Sequence, residues 1–239
     1  MNKSRGRQYI DKILINFGRH LVYTEGTKTE KFYVEDLKET VATKLNVDSN
    51  CVEIIHVSTI RSQHTLDLVE FAIKDVNKRR AKGETIDHVW IFYDKDDFKD
   101  FDETFIRIKE LNDLPSENKN QIPCDINHTA WHACWSNECF EVWLYLYFEN
   151  LVNPLSRKQY IFKINSFLKA RGCTETFKKN MKHPHSFLTK NGGSIQKAIK
   201  FAKKKDNSKD KKPNPSSGVY QFAEYIQRYI EDGQTKNRY

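Results

Sequence analysis

Residues 87–93 read Asp-His-Val-Trp-Ile-Phe-Tyr, and Asp94-Lys95-Asp96-Asp97 follow at once. From Val89 to Tyr93 no charged residue interrupts the run. A strand so continuously apolar belongs at the centre of a parallel sheet, covered on both faces. The acidic residues behind it then sit at the carboxyl end of the strand, where open α/β sheets hold their ligands. Asp94 and Asp96 are two apart, so extended backbone puts them on one side. Their like charges repel at that range, and a divalent, oxygen-seeking cation relieves the repulsion. By itself an Asp-x-Asp is weak evidence, since a solvated turn that caps the next helix explains it too.

Working outward, 20–24 (HLVYT) is a second short apolar run, ending at Glu25-Gly26. It reads as a buried strand feeding a turn, with Thr27 or Thr29 capping the following helix and Glu30 in its first turn. Phe32, Tyr33 and Leu37 recur at helical spacing. Residues 51–57 (CVEIIHV) read as a strand rich in β-branched residues. Leu66, Val69, Ile73 and Val76 then mark an amphipathic helix closed near Lys82-Gly83. Phe101, Phe105, Ile108 and Leu111 mark another. A fourth strand is expected over 124–135, and a buried helix over 137–150. The alternation of strands and helices predicts a three-layer α/β fold with a mostly parallel sheet.

After Pro154 the pattern turns helical, with helices expected over 157–171, 174–181, 188–205 and 216–231. The expected division is a basic N-terminal segment (1–19), an α/β catalytic domain (20–152) and a helical, basic subdomain (153–239). Lys197, Lys200, Lys203, Lys204, Lys205, Lys209, Lys211 and Lys212 crowd one segment, against Asp206 and Asp210. Such a run is either a solvated helix face or a contact for a phosphate backbone.

Glu25 gives the acidic run its second element. It too ends a strand, before a glycine and a helix start. If the two strands are neighbours, Glu25 faces Asp94 and Asp96 across a few ångströms. Lys28 and Thr27 at the helix start suit a phosphate oxygen. Glu141 stands in an otherwise apolar helix beside Phe140, Val142 and Trp143. A buried carboxylate needs a cation or a metal, so Glu141 either joins the metal site or pairs with Lys28 or an arginine. His183-Pro184-His185 is a candidate ligand or proton-transfer pair, or an exposed loop. Trp131 and Trp135 read as core.

Composition narrows the classes. The chain has 239 residues and a formal net charge of +8, which favours a polyanionic partner. Its five cysteines form no CxxC, so a disulfide scaffold is not expected and free thiols point to a reducing cytoplasm. Cys134 and Cys139 lie near His128 and His132, but four ligands at zinc-finger spacing are not there. No signal peptide is expected at the N-terminus. The most apolar segment, 140–148, is too short to span a bilayer. No membrane partner is expected.

Glu-Gly at one strand end with Asp-x-Asp at a later one resembles the Toprim domain of topoisomerases, primases and OLD-family nucleases. More closely, 21–37 (LVYTEGTKTEKFYVEDL), 89–98 (VWIFYDKDDF) and 136–149 (SNECFEVWLYLYFE), with 214–226 (NPSSGVYQFAEYI), resemble the RloB family of bacterial defence proteins. The resemblance spans about 20–230. The family usually has Pro where this chain has Glu138, and His where it has Tyr147. If that His takes part in the chemistry, the site below lacks a member.

The resemblance implies a Toprim-fold, metal-dependent nuclease acting beside a separate ATPase subunit in anti-phage defence. It assigns Glu25 as the Toprim glutamate and Asp94 and Asp96 as metal-binding aspartates, with Glu30 near a second acidic position. Mg²⁺ or Mn²⁺ would be the cofactor. Lys28 or Lys95 would face charge developing on phosphate oxygens. Lys197, Lys200, Lys203, Lys204 and Lys205 would guide the nucleic acid, DNA or RNA, tRNA included. Asp97 fits a helix cap or outer-shell position. The chain lacks GxxxxGK[ST], so ATP-driven sensing would need another chain. The rival reading is a non-catalytic nucleic-acid-binding or regulatory subunit on the same scaffold. Strand joining is disfavoured, because no further domain offers a nucleophilic tyrosine.

Overall fold

The computed structural model describes residues 18–57, 64–95, 99–113, 129–206 and 211–236. It is a mixed α/β structure, the class expected of a Toprim-like chain. Strands β1 (His20–Thr24), β2 (Ile54–Val57), β3 (His88–Asp94), β4 (Ala130–Asn137) and β5 (Ser216–Ser217) form one sheet in the order β2-β1-β3-β4-β5. The first four strands in chain order are parallel to one another, and β5 runs antiparallel to β4.

Strand alternation sorts the apolar residues onto two faces. Val22, Trp90, Phe92 and Cys134 pack with α1 (Thr29–Leu45), α4 (Glu141–Tyr145), α5 (Arg157–Ala170), α6 (Pro184–Lys190), α7 (Ile195–Lys205) and α8 (Tyr220–Lys236). Leu21, Tyr23, Val89, Ile91, Trp131, Ala133 and Trp135 pack with α2 (Thr65–Arg80) and α3 (Phe101–Asp113) on the other side. These are the three expected layers. The C-terminal helices share the first of these clusters with α1 and the sheet.

Several helical expectations need correction. Residues 174–181 form no helix: Asn165 holds the segment by donating to Phe177 O (3.2 Å) and accepting from Phe177 N (2.7 Å). The helix expected over 188–205 is two, α6 and α7, broken at Asn191-Gly192-Gly193. Gly192 has φ +86°, a conformation that a Cβ disfavours, and Ser194 then caps α7 by accepting from Lys197 N (3.2 Å). The helix expected from 137 begins at Glu141, because Ser136 and Asn137 stay in β4 to pair with Ser217 and Ser216. The last expected helix, 216–231, is α8, and 216–217 are its preceding strand. The N-cap of α1 is Lys28, which makes no side-chain cap bond, and the Thr29 hydroxyl instead donates to Lys179 O (2.7 Å). Of the strand expected over 124–135, 124–128 lie outside the described residues.

Candidate metal centre

The chain passes from β1 to β2 on one side of β1, then returns to β3 on the other. The gap beyond the carboxyl ends of β1 and β3 is thus the switch point where such sheets bind ligands. Glu25 and Asp94 stand there. Glu25 N donates to Phe92 O (3.0 Å), continuing the ladder one residue past β1. The Glu25 carboxylate accepts from Asp94 N (3.2 Å), so the two strand ends are joined through the candidate residues themselves.

Two further carboxylates converge here. Glu30, in the first turn of α1, is buried and folds back over the β1–α1 turn. A Cβ on Gly26 would overlap its carboxylate, so glycine is needed for this close approach. Glu141, the first residue of α4, is only 2% exposed. Its Oε1 lies 3.0 Å from Lys179 Nζ.

The electrostatics register this crowding. Burial, then Glu30, Glu141 and Glu25, push the Asp94 carboxyl well above the usual range, against a hydrogen bond from Phe140 N–H. Burial, with Glu141 and Glu25, pushes Glu30 up to about 7. Burial, Glu141 and Asp94 push the Cys139 thiol up as well, which fits a buried thiol beside the centre and not a thiolate ligand. Burial alone would lower the Lys179 ammonium; Glu141, with help from Cys139 and Asp94, outweighs it and holds the charge on.

The family model for RloB-like proteins matches residues 20–226. The chain belongs to the RloB-like family. No curated protein and no solved structure matches it. The match runs from β1 into α8 and so includes all four of these carboxylates.

The donor set of this RloB-like chain fits a hard divalent cation. All four side chains offer oxygen, as Mg²⁺ or Mn²⁺ requires. Packed together with low solvent access, they repel one another, and Lys179 offsets part of the charge. Of the two roles weighed for Glu141, the structure shows the ion pair, with Lys179 and not Lys28 or an arginine; Glu141 also lies near enough to Asp94 and Glu30 to raise both carboxyls. Asp96 and Asp97 lie outside the described residues. Lys28 is exposed at the start of α1, and Lys95 Nζ lies 5.6 Å from the Phe101 ring.

Among the described residues, the group whose ligand atoms all lie within 4.8 Å of one another is a different one, Asp36, Glu39 and His183. Its buried member already has work: Asp36 accepts from Ser186 N (2.8 Å) and Ser186 Oγ (2.5 Å) at the start of α6. His183 Nδ1 is 3.3 Å from Glu39 Oε2. The paired use of His183 and His185 is not what the fold gives. His185 turns inward to Tyr147 Oη (2.8 Å), which in turn meets Tyr33 Oη (3.0 Å).

The basic run divides. Lys197, Lys200 and Lys204 are exposed along α7 at helical spacing. Lys203 pairs with Glu224 at 2.7 Å, and Lys205 Nζ donates to Val152 O (3.2 Å). Lys212 is buried, with Nζ 3.8 Å from the Phe105 ring centre and 4.3 Å from that of Trp135, beside Asp206. It serves the fold. Among the described residues no helix is long and apolar enough to cross a membrane.

Sequence reasoning missed Lys179 and Ser136, near the end of β4, as neighbours of the centre. Ser136 is in register with Asp94 on β3. Its signal was in the sequence, since it opens the quoted 136–149 segment. Lys179 had none, being one lysine among Lys178, Lys179 and Lys182.

Proposed function

We propose that this chain is a divalent-cation-dependent phosphodiesterase that cleaves nucleic acid, working in anti-phage defence beside a separate ATPase subunit. One observation carries the reading: Glu25, Glu30, Asp94 and Glu141 gather at the sheet's switch point. A cation held there by these residues would polarise a phosphoryl oxygen and lower the pKa of a bound water.

The chain's own groups supply the rest. Asp94 is held by β3 and by the Phe140 N–H, so it needs no reorganisation when substrate arrives. The Glu25 carboxylate, fixed on Asp94 N, is placed to accept a proton from attacking water. The half-exposed Lys179 ammonium, 3.0 Å from Glu141 Oε1, would offer positive charge to a phosphate oxygen bound at the centre. Exposed Lys197, Lys200 and Lys204 add positive charge along one helix, suited to a nucleic-acid backbone. The resemblance supports the defence role and the ATPase partner.

Purified protein is incubated with Mg²⁺ or Mn²⁺ and with plasmid, single-stranded DNA or total tRNA, alone and with the neighbouring ATPase. Cleavage by wild type and none by Asp94→Asn is the expected result. Equal cleavage by a folded Asp94→Asn protein defeats the assignment.

A further inference from the structure

A third strand beside the switch point ends in a hydroxyl that has no hydrogen-bond partner within the chain. Ser136 is 1% exposed, and its Oγ has no hydrogen-bond partner. Leaving a buried hydroxyl unpaired costs about 1–3 kcal/mol, so such a group calls for a specific explanation. The main chain cannot move to provide a partner. Ser136 O accepts from Lys95 N (2.9 Å), and the residue is paired laterally with Asp94 and Ser217.

Strand alternation fixes which way the hydroxyl faces. On β3, Trp90 and Phe92 pack toward α1 and α4; on β4, Cys134 does so. Asp94 and Ser136 continue these two series by one step of two. They are register partners on the same face, the face from which Glu30 and Glu141 approach. Asn137 Oδ1 is also unpartnered, but it lies one residue on, and its amide donates to Lys212 O (3.1 Å). Alternation sends it to the opposite face.

We propose that the Ser136 hydroxyl is an oxygen donor to the divalent cation of the acidic centre, so that β4 contributes a ligand beside those of β1 and β3. This rests on the reading of that centre as a metal site. The chemistry is apt: a serine or threonine hydroxyl is an established kind of ligand for Mg²⁺ in phosphate-binding loops. It adds a donor without adding a fifth negative charge to a site already crowded with acids.

The test measures Mn²⁺ binding by the paramagnetic resonance of free Mn²⁺, and urea unfolding in EDTA, on the full chain. Ser136→Ala removes an unpaired group, so metal-free stability should be unchanged or raised. Its Mn²⁺ affinity should fall about tenfold or more. Ser136→Cys distinguishes direct coordination, because sulfur prefers a softer ion: it should bind Cd²⁺ more tightly than Ser136→Ala does, and Mn²⁺ no better. Equal Cd²⁺ affinity of these two variants overturns direct coordination. Loss of stability in EDTA by Ser136→Ala overturns the proposal in favour of a structural hydroxyl. Wild-type Mn²⁺ affinity in Ser136→Ala, with binding lost in Asp94→Asn, overturns the ligand and leaves the centre standing. If neither variant loses Mn²⁺, the metal centre itself falls, and the proposal with it.

Discussion

Glu30→Gln should make the protein more stable in EDTA, by an amount that grows as pH rises from 4.5 to 7. Glu30 is 9% exposed, and burial, then Glu141 and Glu25, raise its carboxyl from the ordinary 4.5 to about 7. Between those values the folded chain keeps a proton that the unfolded chain has lost. Stability therefore falls as pH rises through this window, by about 1.4 kcal/mol per pH unit. Across the window the loss comes to about 3 kcal/mol, and it is fully present at pH 8. Glutamine keeps the shape and removes the charge. The assay is urea unfolding in EDTA at pH 4.5 and pH 8. Wild type and variant should differ little at the lower pH, and the variant should be more stable by up to about 3 kcal/mol at the higher. Saturating Mn²⁺ should reverse the order, since binding to the folded state stabilises wild type and the variant has lost a donor. A variant that is less stable than wild type at pH 8 in EDTA, or a gap that ignores pH, refutes the picture of a repelling acidic cluster.

Lys179→Met should act in the opposite sense. The Glu141 side chain is 3% exposed and would lose its ammonium, but the lysine side chain is 52% exposed, so solvent screens part of the pair. A loss of about 1–2 kcal/mol in EDTA is expected, against the larger cost of breaking a fully buried pair; Mn²⁺ should abolish the difference, and unchanged stability in EDTA would show that Lys179 offsets nothing. At the far end of the sheet, His132 stacks on Trp90 with ring centres 3.8 Å apart and meets His88 at 3.0 Å. Burial, then His88 and His20, lower its pKa to about 3. The unfolded chain takes up this proton near pH 6.5 and the folded chain does not, so stability falls with pH below that point. His132→Phe keeps a ring on Trp90 and should remove up to about 1.4 kcal/mol per pH unit from that slope between pH 6 and 5, read by urea unfolding against wild type; an unchanged slope would show that His132 is protonated in the folded protein.

What the sequence revealed follows from the range of the interactions involved. The strand at 88–94 and the helical spacing of α1, α2 and α3 are local patterns, and each was visible. The pairing of Glu25 with Asp94 was conditional on β1 and β3 being neighbours, and parallel register supplies that condition. What stayed hidden depends on partners far along the chain. Two residues of β5, Ser216 and Ser217, have no periodicity to read, yet by pairing with Asn137 and Ser136 they delay α4 and keep the Ser136 hydroxyl on the face of Asp94. Lys179 reaches Glu141 because its segment is pinned by the Asn165–Phe177 bonds, 12 residues apart, and by Thr29 to Lys179 O, 150 residues apart.

Glu141 shows how the two kinds of information combine. From sequence it could be a metal ligand or half of an ion pair, and these looked like alternatives. The geometry makes them compatible. Its partner is a half-exposed lysine on an irregular segment, which can withdraw to water at little cost. The acids, fixed on two strand ends and two helix starts, cannot. A divalent cation entering from solvent would thus displace a replaceable charge and leave the fixed donors where they are. An inward-facing arginine, held by several hydrogen bonds, would have closed the site; a lysine keeps it available.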